Sequence, residues 1–541
     1  MLSVKTALAW LYLAVTLLVN ARAQPQPGVD VQHYVFRLTL TDASDRIAGE
    51  ADVTVQFTGN AARELRLDLV GAGQNAQTGM TVSKVQRNGQ PVPFTHAGDV
   101  LRIPLTTAPA GGEKQVFKIH YDGVPADGLV ISKNKFGDRT FFGDNWPNRA
   151  RHWLPVADHP ADKSTCEFIV TAPDHYRVIG NGRLKEETGL PGNQRRTHWA
   201  EAVPIPTKVM VVGASRFAVQ HVDTLRNVPV QSWVYPQDRD KGFFDYAPAA
   251  PILAFFDSLV GPYPYEKLAN VQSKTRYGGM ENAGNIFYNE KAIHGKKNLD
   301  MERLVAHEIG HQWFGNSVTE KDWPHVWLSE GFATYLADVY VEHAYGPGRM
   351  AEYLQKERKE VFDFARENPA LPVVVTQPTD LMALLNPNSY QKGAWILHML
   401  RQRVGDEVFW RGLRTYYGRY RNANAATEDF QQVMEEASGK DLSGFFKQWL
   451  YTPGYPKLTG TWVYDSVQKE LVVQFRQPAG SVYSLPLELG FYDAAGKLLG
   501  KETVQMEGAE KTFRLKTTGA PANVVADPDT EVLAEVELKR K

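Results

Sequence analysis

The sequence has little cysteine, no basic cluster and no extended hydrophobic span beyond its first residues, and each shortage excludes a class of protein. Its single cysteine, Cys166, rules out an intramolecular disulfide framework. Its 60 Lys and Arg residues against 61 Asp and Glu residues give a formal net charge of −1. Because nucleic acids and anionic membranes are bound through basic patches, neither is expected as a partner.

The apolar run at the start of the chain predicts export, with no stable membrane anchor. Residues 7–19 are mostly apolar and follow Lys5, and Ala21-Arg22-Ala23 has the form of a signal-peptidase site. A run of this length is too short to span a bilayer. We therefore expect residues 1–23 to be a signal peptide. The lack of any Asn-x-Ser/Thr acceptor favours a bacterial protein, either periplasmic or secreted.

Three regions differ in hydrophobic patterning, as is expected of a chain too long for one core. Residues 24–222 alternate apolar and polar side chains in short segments, which predicts an antiparallel β domain. Residues 223–452 continue with helical periodicity after short β segments, which predicts an α+β domain. Residues 453–541 return to strands and predict a small β-sandwich. The expected fold class is therefore multidomain α+β.

The strongest chemical motif is His307-Glu308-Ile309-Gly310-His311, within a segment of helical periodicity. On a helix, His307 and His311 project from one face and can take two positions on a tetrahedral Zn²⁺. Glu308 is the candidate general base for a zinc-activated water. A catalytic zinc needs a third protein ligand, for which Glu330 on the next predicted helix is the candidate. Apolar neighbours favour a buried metal site over a solvated helix face.

Three further segments carry candidate cleft residues. Gly278-Gly279-Met280-Glu281-Asn282 indicates an edge to which a peptide can add as a strand, where Glu281 could bind a free α-ammonium. Tyr390 precedes a predicted helix and can donate its hydroxyl to a developing oxyanion. Taken alone, the first segment is more simply a turn beside a polar edge, and Tyr390 a partly buried aromatic cap. Residues 141–160, rich in Trp and Pro, are either a loop packed on the β domain or one that reaches the cleft.

Together and in this order, these motifs resemble the zinc aminopeptidases of the aminopeptidase N and leukotriene hydrolase family, the gluzincins. Residues 151–160, 313–316 and 327–333 extend the resemblance over nearly all of the chain after residue 23. It implies a saddle-like N-terminal β domain, a thermolysin-like catalytic domain, a C-terminal β-sandwich and one Zn²⁺ per chain. By match, the zinc ligands are His307, His311 and Glu330, the base is Glu308, the substrate-binding residues are Gly278, Gly279, Met280, Glu281 and Asn282, and the residue that stabilises the tetrahedral intermediate is Tyr390.

The sequence departs from the family pattern in three ways. Many members continue into a large C-terminal helical domain that closes over the cleft, whereas this sequence ends after the predicted sandwich, so a more open cleft is expected unless another subunit covers it. The leukotriene-hydrolysing branch relies on basic residues of that helical domain, so epoxide hydrolysis is not expected. Where the family commonly has a glutamine that helps to bind the substrate's amine, this chain has Asp144. If Asp144 faces the cleft, it would bind the amine or favour a basic first side chain.

The sequence thus predicts a zinc-dependent aminopeptidase that removes the N-terminal residue from peptides with a free N-terminus. Two alternatives differ in what they require. A thermolysin-type endopeptidase would use the same zinc site but would have no use for Glu281. A non-catalytic scaffold of the same fold would be expected to lack zinc ligands or the base, all of which this sequence has.

Overall fold

The computed structural model describes residues 26–59, 62–73, 77–478 and 482–541. The predicted signal peptide, residues 1–23, lies outside the described residues. The architecture is multidomain α+β, as predicted, with strands at both ends of the chain and most helices between them. No helix within the described ranges is both long enough and apolar enough to cross a membrane.

The N-terminal region is built almost wholly of strands. Its strands are β1 (Val29–Thr39), β2 (Ile47–Phe57), β3 (Glu64–Asp68), β4 (Gly79–Arg87), β5 (Gln90–Pro91), β6 (Thr95–Ala97), β7 (Val100–Pro104), β8 (Lys114–Val124), β9 (Leu129–Lys133), β10 (Arg139–Gly143), β11 (Lys163–Pro173), β12 (Arg177–Gly180), β13 (Arg183–Leu190), β14 (Gln194–Pro206) and β15 (Val212–Ser215). Along β11 every second side chain is buried, including Cys166 and Phe168, because the side chains of a strand alternate between its two faces.

These strands form one large sheet and two smaller ones. The eight-stranded sheet has the order β13-β14-β11-β1-β2-β8-β4-β5, and the others are β12-β15-β10-β9 and β3-β7-β6. The expected antiparallel pattern holds except that β1 and β11 run parallel. Alternating patterns predict strands, but they do not fix the direction of a pair that is distant in sequence.

A five-stranded mixed sheet and a set of helices follow. Its strands are β16 (Ala218–Leu225), β17 (Val228–Val234), β18 (Leu268–Ser273), β19 (Gly279–Met280) and β20 (Asn285–Asn289), in the order β16-β17-β18-β20-β19, so β19 is an edge. The predicted domain boundary between residues 222 and 223 therefore falls inside β16. We place it between Ser215 and Ala218 instead, because β16 pairs with β17 of the second domain.

The helices position the site described below. They are α1 (Arg239–Tyr246), α2 (Ala249–Leu259), α3 (Leu299–Gly310), α4 (Trp327–Tyr345), α5 (Pro347–Glu367), α6 (Gly393–Val404), α7 (Asp406–Tyr420), α8 (Thr427–Ser438) and α9 (Ser443–Phe446), and a two-stranded sheet pairs β21 (Val318–Glu320) with β22 (Ala423–Ala425). The side chain of Asn298 starts α3 by accepting a hydrogen bond from the Met301 amide at 3.1 Å. At Gly310 the two helices are packed closely, since a Cβ there would already be in contact with the Ala333 Cα at 3.4 Å.

The C-terminal region has two facing sets of strands, the arrangement expected for a β-sandwich. The strands are β23 (Lys457–Asp465), β24 (Glu470–Arg476), β25 (Leu485–Tyr492), β26 (Leu498–Met506), β27 (Glu510–Lys516), β28 (Asn523–Ala526) and β29 (Glu535–Arg540), in sheets β27-β24-β23-β29 and β26-β25-β28. Polar contacts join this region to the helices, as when Arg358 of α5 donates to Asp527 at 2.6 Å.

Candidate active site

The two histidines of the motif meet because they lie one turn apart on α3. His307 is on the last turn of the helix and His311 caps its C-terminus. Their Nε2 atoms point toward each other and are 3.0 Å apart. Val305 and Ile309 of the same helix are fully buried, so α3 is packed in the interior as its apolar residues predict.

Helix α4 brings Glu330 to the same point. The Glu330 Oε2 atom lies 3.6 Å from His307 Nε2 and 3.2 Å from His311 Nε2. Glu330 is 3% exposed, and apart from its ion pairs with these two imidazoles its Oε2 atom has no hydrogen-bond partner of good geometry. A buried carboxylate oxygen without a donor is costly unless a cation lies beside it.

The spacing of these three atoms fits a zinc ion. Zinc bonds of 2.0–2.1 Å at tetrahedral angles place ligand atoms about 3.4 Å apart. The three separations of 3.0, 3.2 and 3.6 Å bracket that value. Two imidazoles and a carboxylate form a His₂Glu donor set, one of those that catalytic zinc uses.

A second set of contacts orients the imidazoles. His311 Nδ1 lies 3.3 Å from the Phe314 carbonyl oxygen and 3.1 Å from the Ser329 hydroxyl, and His307 Nδ1 lies 3.5 Å from the Thr334 hydroxyl. A proton on each Nδ1 atom would be bonded there, which leaves both Nε2 lone pairs free to face the metal position. These contacts keep the rings in the orientation that a metal ion requires.

Three buried carboxylates, those of Glu281, Glu308 and Glu330, surround the histidines. Atoms of Glu281, Glu308 and His311 that could act as ligands lie within 4.8 Å of one another. Burial raises the pKa of Glu308 well above its usual range, and the charges of Glu281 and Glu330 raise it further, whereas His311 lowers it. Burial would lower the pKa of His311, but the charges of the neighbouring carboxylates outweigh it and raise that pKa to about 9. Three buried carboxylates thus share the site with two imidazoles, a charge balance that suits a bound cation.

The backbone of the edge strand is held by two amide side chains that the sequence interpretation missed. Gln312 Nε2 and Asn316 Nδ2 donate to the Glu281 carbonyl oxygen at 2.8 and 2.6 Å. Gln312 also accepts from the Gly284 amide at 2.9 Å. Both amides follow His311 within the apolar stretch 312–316 and are fully buried. Polar amides in such a stretch are a signal that could have been used, because buried amides need partners.

Close backbone approaches explain two of the glycines. A Cβ on Gly279 would lie 2.2 Å from Glu308 Oε1, so β19 can run beside the proposed base only without a side chain there. A Cβ on Gly331 would lie 2.8 Å from the Gly393 Cα, so α4 and α6 touch through their backbones. That contact brings Tyr390, on a π-helical turn just before α6, close to Glu330 of α4.

Tyr390 faces the predicted metal site. Its ring lies nearly parallel to that of His307, with 6.0 Å between the ring centroids. Burial raises its pKa well above the usual value, and the charges of Glu330, Glu281 and Glu308 raise it further. The hydroxyl is therefore protonated at neutral pH and can act as a hydrogen-bond donor.

A cleft of about 510 Å³ joins these groups. Trp146 belongs to its wall, so the stretch 141–160 reaches the cleft through this residue. Most other residues of the stretch are buried in the β region. The stretch is therefore packed on the β domain for most of its length and reaches the cleft at Trp146. The lining residues are Trp146, Tyr277, Gly278, Gly279, Met280, Glu281, Asp300, Arg303, Leu304, His307, Glu308, His311, Glu330, Thr334, Leu385, Tyr390 and Gln391.

Two predicted substrate-binding residues do not reach this cleft. Asp144 is fully buried, and its carboxylate accepts hydrogen bonds from Arg149 Nη2 at 2.6 Å and from the Arg276 amide at 3.2 Å. It therefore supports the loop before β19 and does not face the cleft, which was the condition for its predicted contact with substrate. Asn282 is also fully buried and is absent from the cleft wall. Both residues follow the end of a strand, β10 for Asp144 and β19 for Asn282, so their place beside a motif did not fix the direction of their side chains.

The chain matches two models of one family of peptidases. Residues 30–209 match the peptidase M1 N-terminal domain, and residues 246–449 match the peptidase family M1 domain. The two matches cover the β region and the helical region that carries the site.

Known relatives and a solved structure are similar over large parts of the chain. Probable aminopeptidase 2 of Sulfurisphaera tokodaii is 27% identical over 430 residues, which cover 76% of this chain and 54% of that protein. Glutamyl aminopeptidase of Mus musculus is 28% identical over 362 residues, or 64% of this chain and 38% of that protein. The chain thus spans about half or less of the length of these relatives.

A crystal structure of Legionella pneumophila aminopeptidase A, in complex with aspartic acid, matches with a TM-score of 0.82 at 18% identity. The match covers 95% of this chain and 60% of that one, and at this identity it shows a shared fold.

Proposed function

Because the chain belongs to peptidase family M1, we propose that it is a zinc-dependent aminopeptidase that hydrolyses the first peptide bond of substrates with a free N-terminus. His307, His311 and Glu330 would hold the zinc, which would supply a Lewis acid and lower the pKa of water in the site. The observation that carries the proposal is the third buried carboxylate, Glu281, beside this ligand set.

Charge balance assigns Glu281 its role. Glu281, Glu308 and Glu330 bring three negative charges when ionised, and a zinc ion supplies two positive ones. A substrate α-ammonium would supply the third, through a charge-assisted hydrogen bond to Glu281. Lys208 and Arg303 also act on the site through their charges, but Lys208 is paired with Glu320, and Arg303 with Asp338.

Glu308 moves the protons. Its carboxylate would take a proton from the attacking water and give it to the leaving amine. The environment that raises the pKa of Glu308 suits this task, since it favours the protonated form between the two steps. Tyr390 would donate its hydroxyl to the oxyanion of the tetrahedral intermediate. Fixing the ammonium at Glu281 would leave only the first carbonyl over the metal position.

The cleft beside Glu281 favours an apolar first side chain. Part of the cleft wall is formed by one hydrophobic cluster, in which Tyr277 and Leu385 pack against the buried Trp146 and Met280. The carboxylate of Asp144 is satisfied inside the protein, so it does not bind a basic first side chain. We therefore expect leucine, methionine or phenylalanine to be preferred over lysine or glutamate as the first residue. The predicted signal peptide adds the proposal that the enzyme works in the periplasm or outside the cell.

A panel of aminoacyl-fluorophores, each with a free and an N-acetylated amine, tests the proposal. The expected result is cleavage of free amines only, with large apolar residues fastest, and loss of activity with a chelator. Glu281→Gln should lower kcat/KM by about 10²-fold or more, since buried charge-assisted contacts of this kind are worth several kcal/mol. Equal cleavage of acetylated substrates would point to a thermolysin-type endopeptidase. Bound zinc without any cleavage would point to the non-catalytic scaffold.

A further inference from the structure

One end of the cleft carries a carboxylate to which the proposed chemistry gives no role. The wall formed by α3 includes Asp300, Leu304 and Glu308, together with both histidines. These positions recur at helical spacing and so lie on one face of α3. Asp300 and His307 are seven residues apart, which places them about 10 Å apart along the helix axis.

The direction of a bound peptide follows from the edge strand. Glu281 lies beside Glu308 and His311, near the C-terminal end of α3. Position 279 faces Glu308, while a Cβ on Gly278 would lie 3.7 Å from the side chain of Leu304. The edge therefore runs along α3 from Glu281 toward the helix N-terminus. A substrate held by its amine at Glu281 would extend its leaving part toward Asp300.

The accessible charge at that end is negative. Arg303 also lies there, but its Nε and Nη2 atoms bond to Asp338 at 2.9 and 2.8 Å, and it also pairs with Glu357. Asp300 is exposed and accepts a hydrogen bond from the neutral Tyr353 hydroxyl at 2.9 Å. Among the described residues no lysine, arginine or histidine forms an ion pair with Asp300.

We propose that Asp300 is a specificity-determining residue that favours peptides with lysine or arginine at the third or fourth position, an inference that rests on the proposed aminopeptidase function. An extended peptide advances about 3.3 Å per residue, so the second and third residues after the cleaved bond come level with Asp300. A long basic side chain can reach the carboxylate from either of them.

The test compares peptides that differ only in one charge. The substrates have the form Leu-Ala-Ala-Ala-Gly with lysine or glutamine placed at position two, three or four, and release of leucine gives kcat/KM for each. The wild type should prefer lysine about two- to fivefold at position three or four, as an exposed ion pair is worth up to ~1 kcal/mol. Higher salt should reduce the preference.

Asp300→Asn should bring the lysine-to-glutamine ratio to about one, and Asp300→Lys should invert it. The ratio compares two peptides on the same variant. Any effect of the substitution on the first turn of α3 or on the bond to Tyr353 would act on both peptides equally and would leave the ratio unchanged. Glu302→Gln is the matched control, because Glu302 bonds to Tyr340 and Tyr345 and does not line the cleft. It should keep the wild-type ratio.

Hydrolysis of leucyl-fluorophore separates this proposal from the one on which it rests. That substrate has no residues beyond the cleaved bond, so Asp300→Asn should leave its kcat/KM within about twofold of the wild-type value. An unchanged lysine preference in Asp300→Asn, or a wild type that cleaves the glutamine peptides at least as fast as the lysine peptides, would overturn the role of Asp300. Failure to cleave leucyl-fluorophore at all would instead overturn the proposed function.

Discussion

Helices α3 and α4 carry two buried charged clusters that differ in one respect. In the first, Arg303 of α3 pairs with Asp338 of α4 at 2.8 Å, and Glu357 of α5 completes the group. In the second, one turn further along α3, His307 and His311 face Glu330 of α4. The first group, Arg303, Asp338 and Glu357, contains its own cation, the guanidinium, and is called the closed cluster below. The second group, His307, His311 and Glu330, has two titratable imidazoles and a carboxylate oxygen with no hydrogen bond of good geometry, and is called the open cluster.

The difference shows how one helix pair can serve both structure and chemistry. A closed buried ion pair holds α3 against α4, and removal of one partner from such a pair is strongly destabilising. The open cluster lies between the same two helices but has no arginine or lysine, so a bound metal ion would supply its positive charge. We infer that the closed cluster positions the helices and that the open one binds the metal.

The largest effect is expected from the base, which belongs to the open cluster. Glu308→Gln removes the group that transfers protons but keeps the shape of the side chain, so kcat should fall by about 10³-fold or more. Bound zinc should stay near the wild-type amount, since Glu308 is not one of the three proposed ligands. Steady-state kinetics on leucyl-fluorophore together with metal analysis give both numbers, and an active Glu308→Gln enzyme would contradict the assignment.

Removal of the metal should lower the melting temperature of the protein only when the open cluster is intact. A ligand present at a thousand times its Kd stabilises the folded state by about 4 kcal/mol, so the wild type should melt at a clearly higher temperature with zinc than after chelation. Glu330→Gln should melt at nearly the same temperature in both conditions. A zinc-dependent shift of wild-type size in that variant would mean that the metal binds elsewhere.

The closed cluster can be broken without touching a proposed ligand. Arg303→Met leaves Asp338 and Glu357 buried without their cation, which should lower the free energy of unfolding by about 3–5 kcal/mol. Arg349→Met is the control, because Arg349 pairs with Glu352 on the surface and should contribute less than about 1 kcal/mol. Denaturant unfolding of the zinc-loaded variants measures both, and equal losses would remove the distinction between buried and exposed pairs.

A smaller effect is expected from Tyr390, which borders the open cluster. Tyr390→Phe removes one oxyanion donor while keeping the ring beside His307, so kcat should fall about 10²-fold with little change in KM. A change confined to KM would indicate that Tyr390 binds the substrate in its ground state.

Local patterns in the sequence predicted the open cluster well. The spacing of His307 and His311 fixes both on one helix face, and Glu330 lies on the next helix, so the three were found without tertiary information. The β-helical-β order of the chain likewise predicted the fold class. Such inferences work when a short spacing or a repeated pattern determines the geometry.

The parts that failed or were missed depend on packing between distant segments. The sequence left open whether Asp144 faces the cleft, and Arg149 and Arg276 hold its carboxylate in the interior. Gln312 and Asn316 donate hydrogen bonds to the Glu281 carbonyl oxygen from a segment about thirty residues further along the chain. The closed cluster joins three helices, and no spacing in the sequence links its members.

The amount of zinc that each variant retains tests the comparison most directly. Purified wild type, Glu330→Gln and Glu357→Gln are dialysed together against trace zinc and analysed for metal per chain. Glu357→Gln is a mild change, because burial raises the pKa of Glu357 well above its usual range and favours the protonated acid that glutamine resembles. We predict one zinc per chain in the wild type and in Glu357→Gln, and less than about a tenth of that in Glu330→Gln. Full occupancy in Glu330→Gln, or an empty wild type, would contradict the assignment of the open cluster as the metal site.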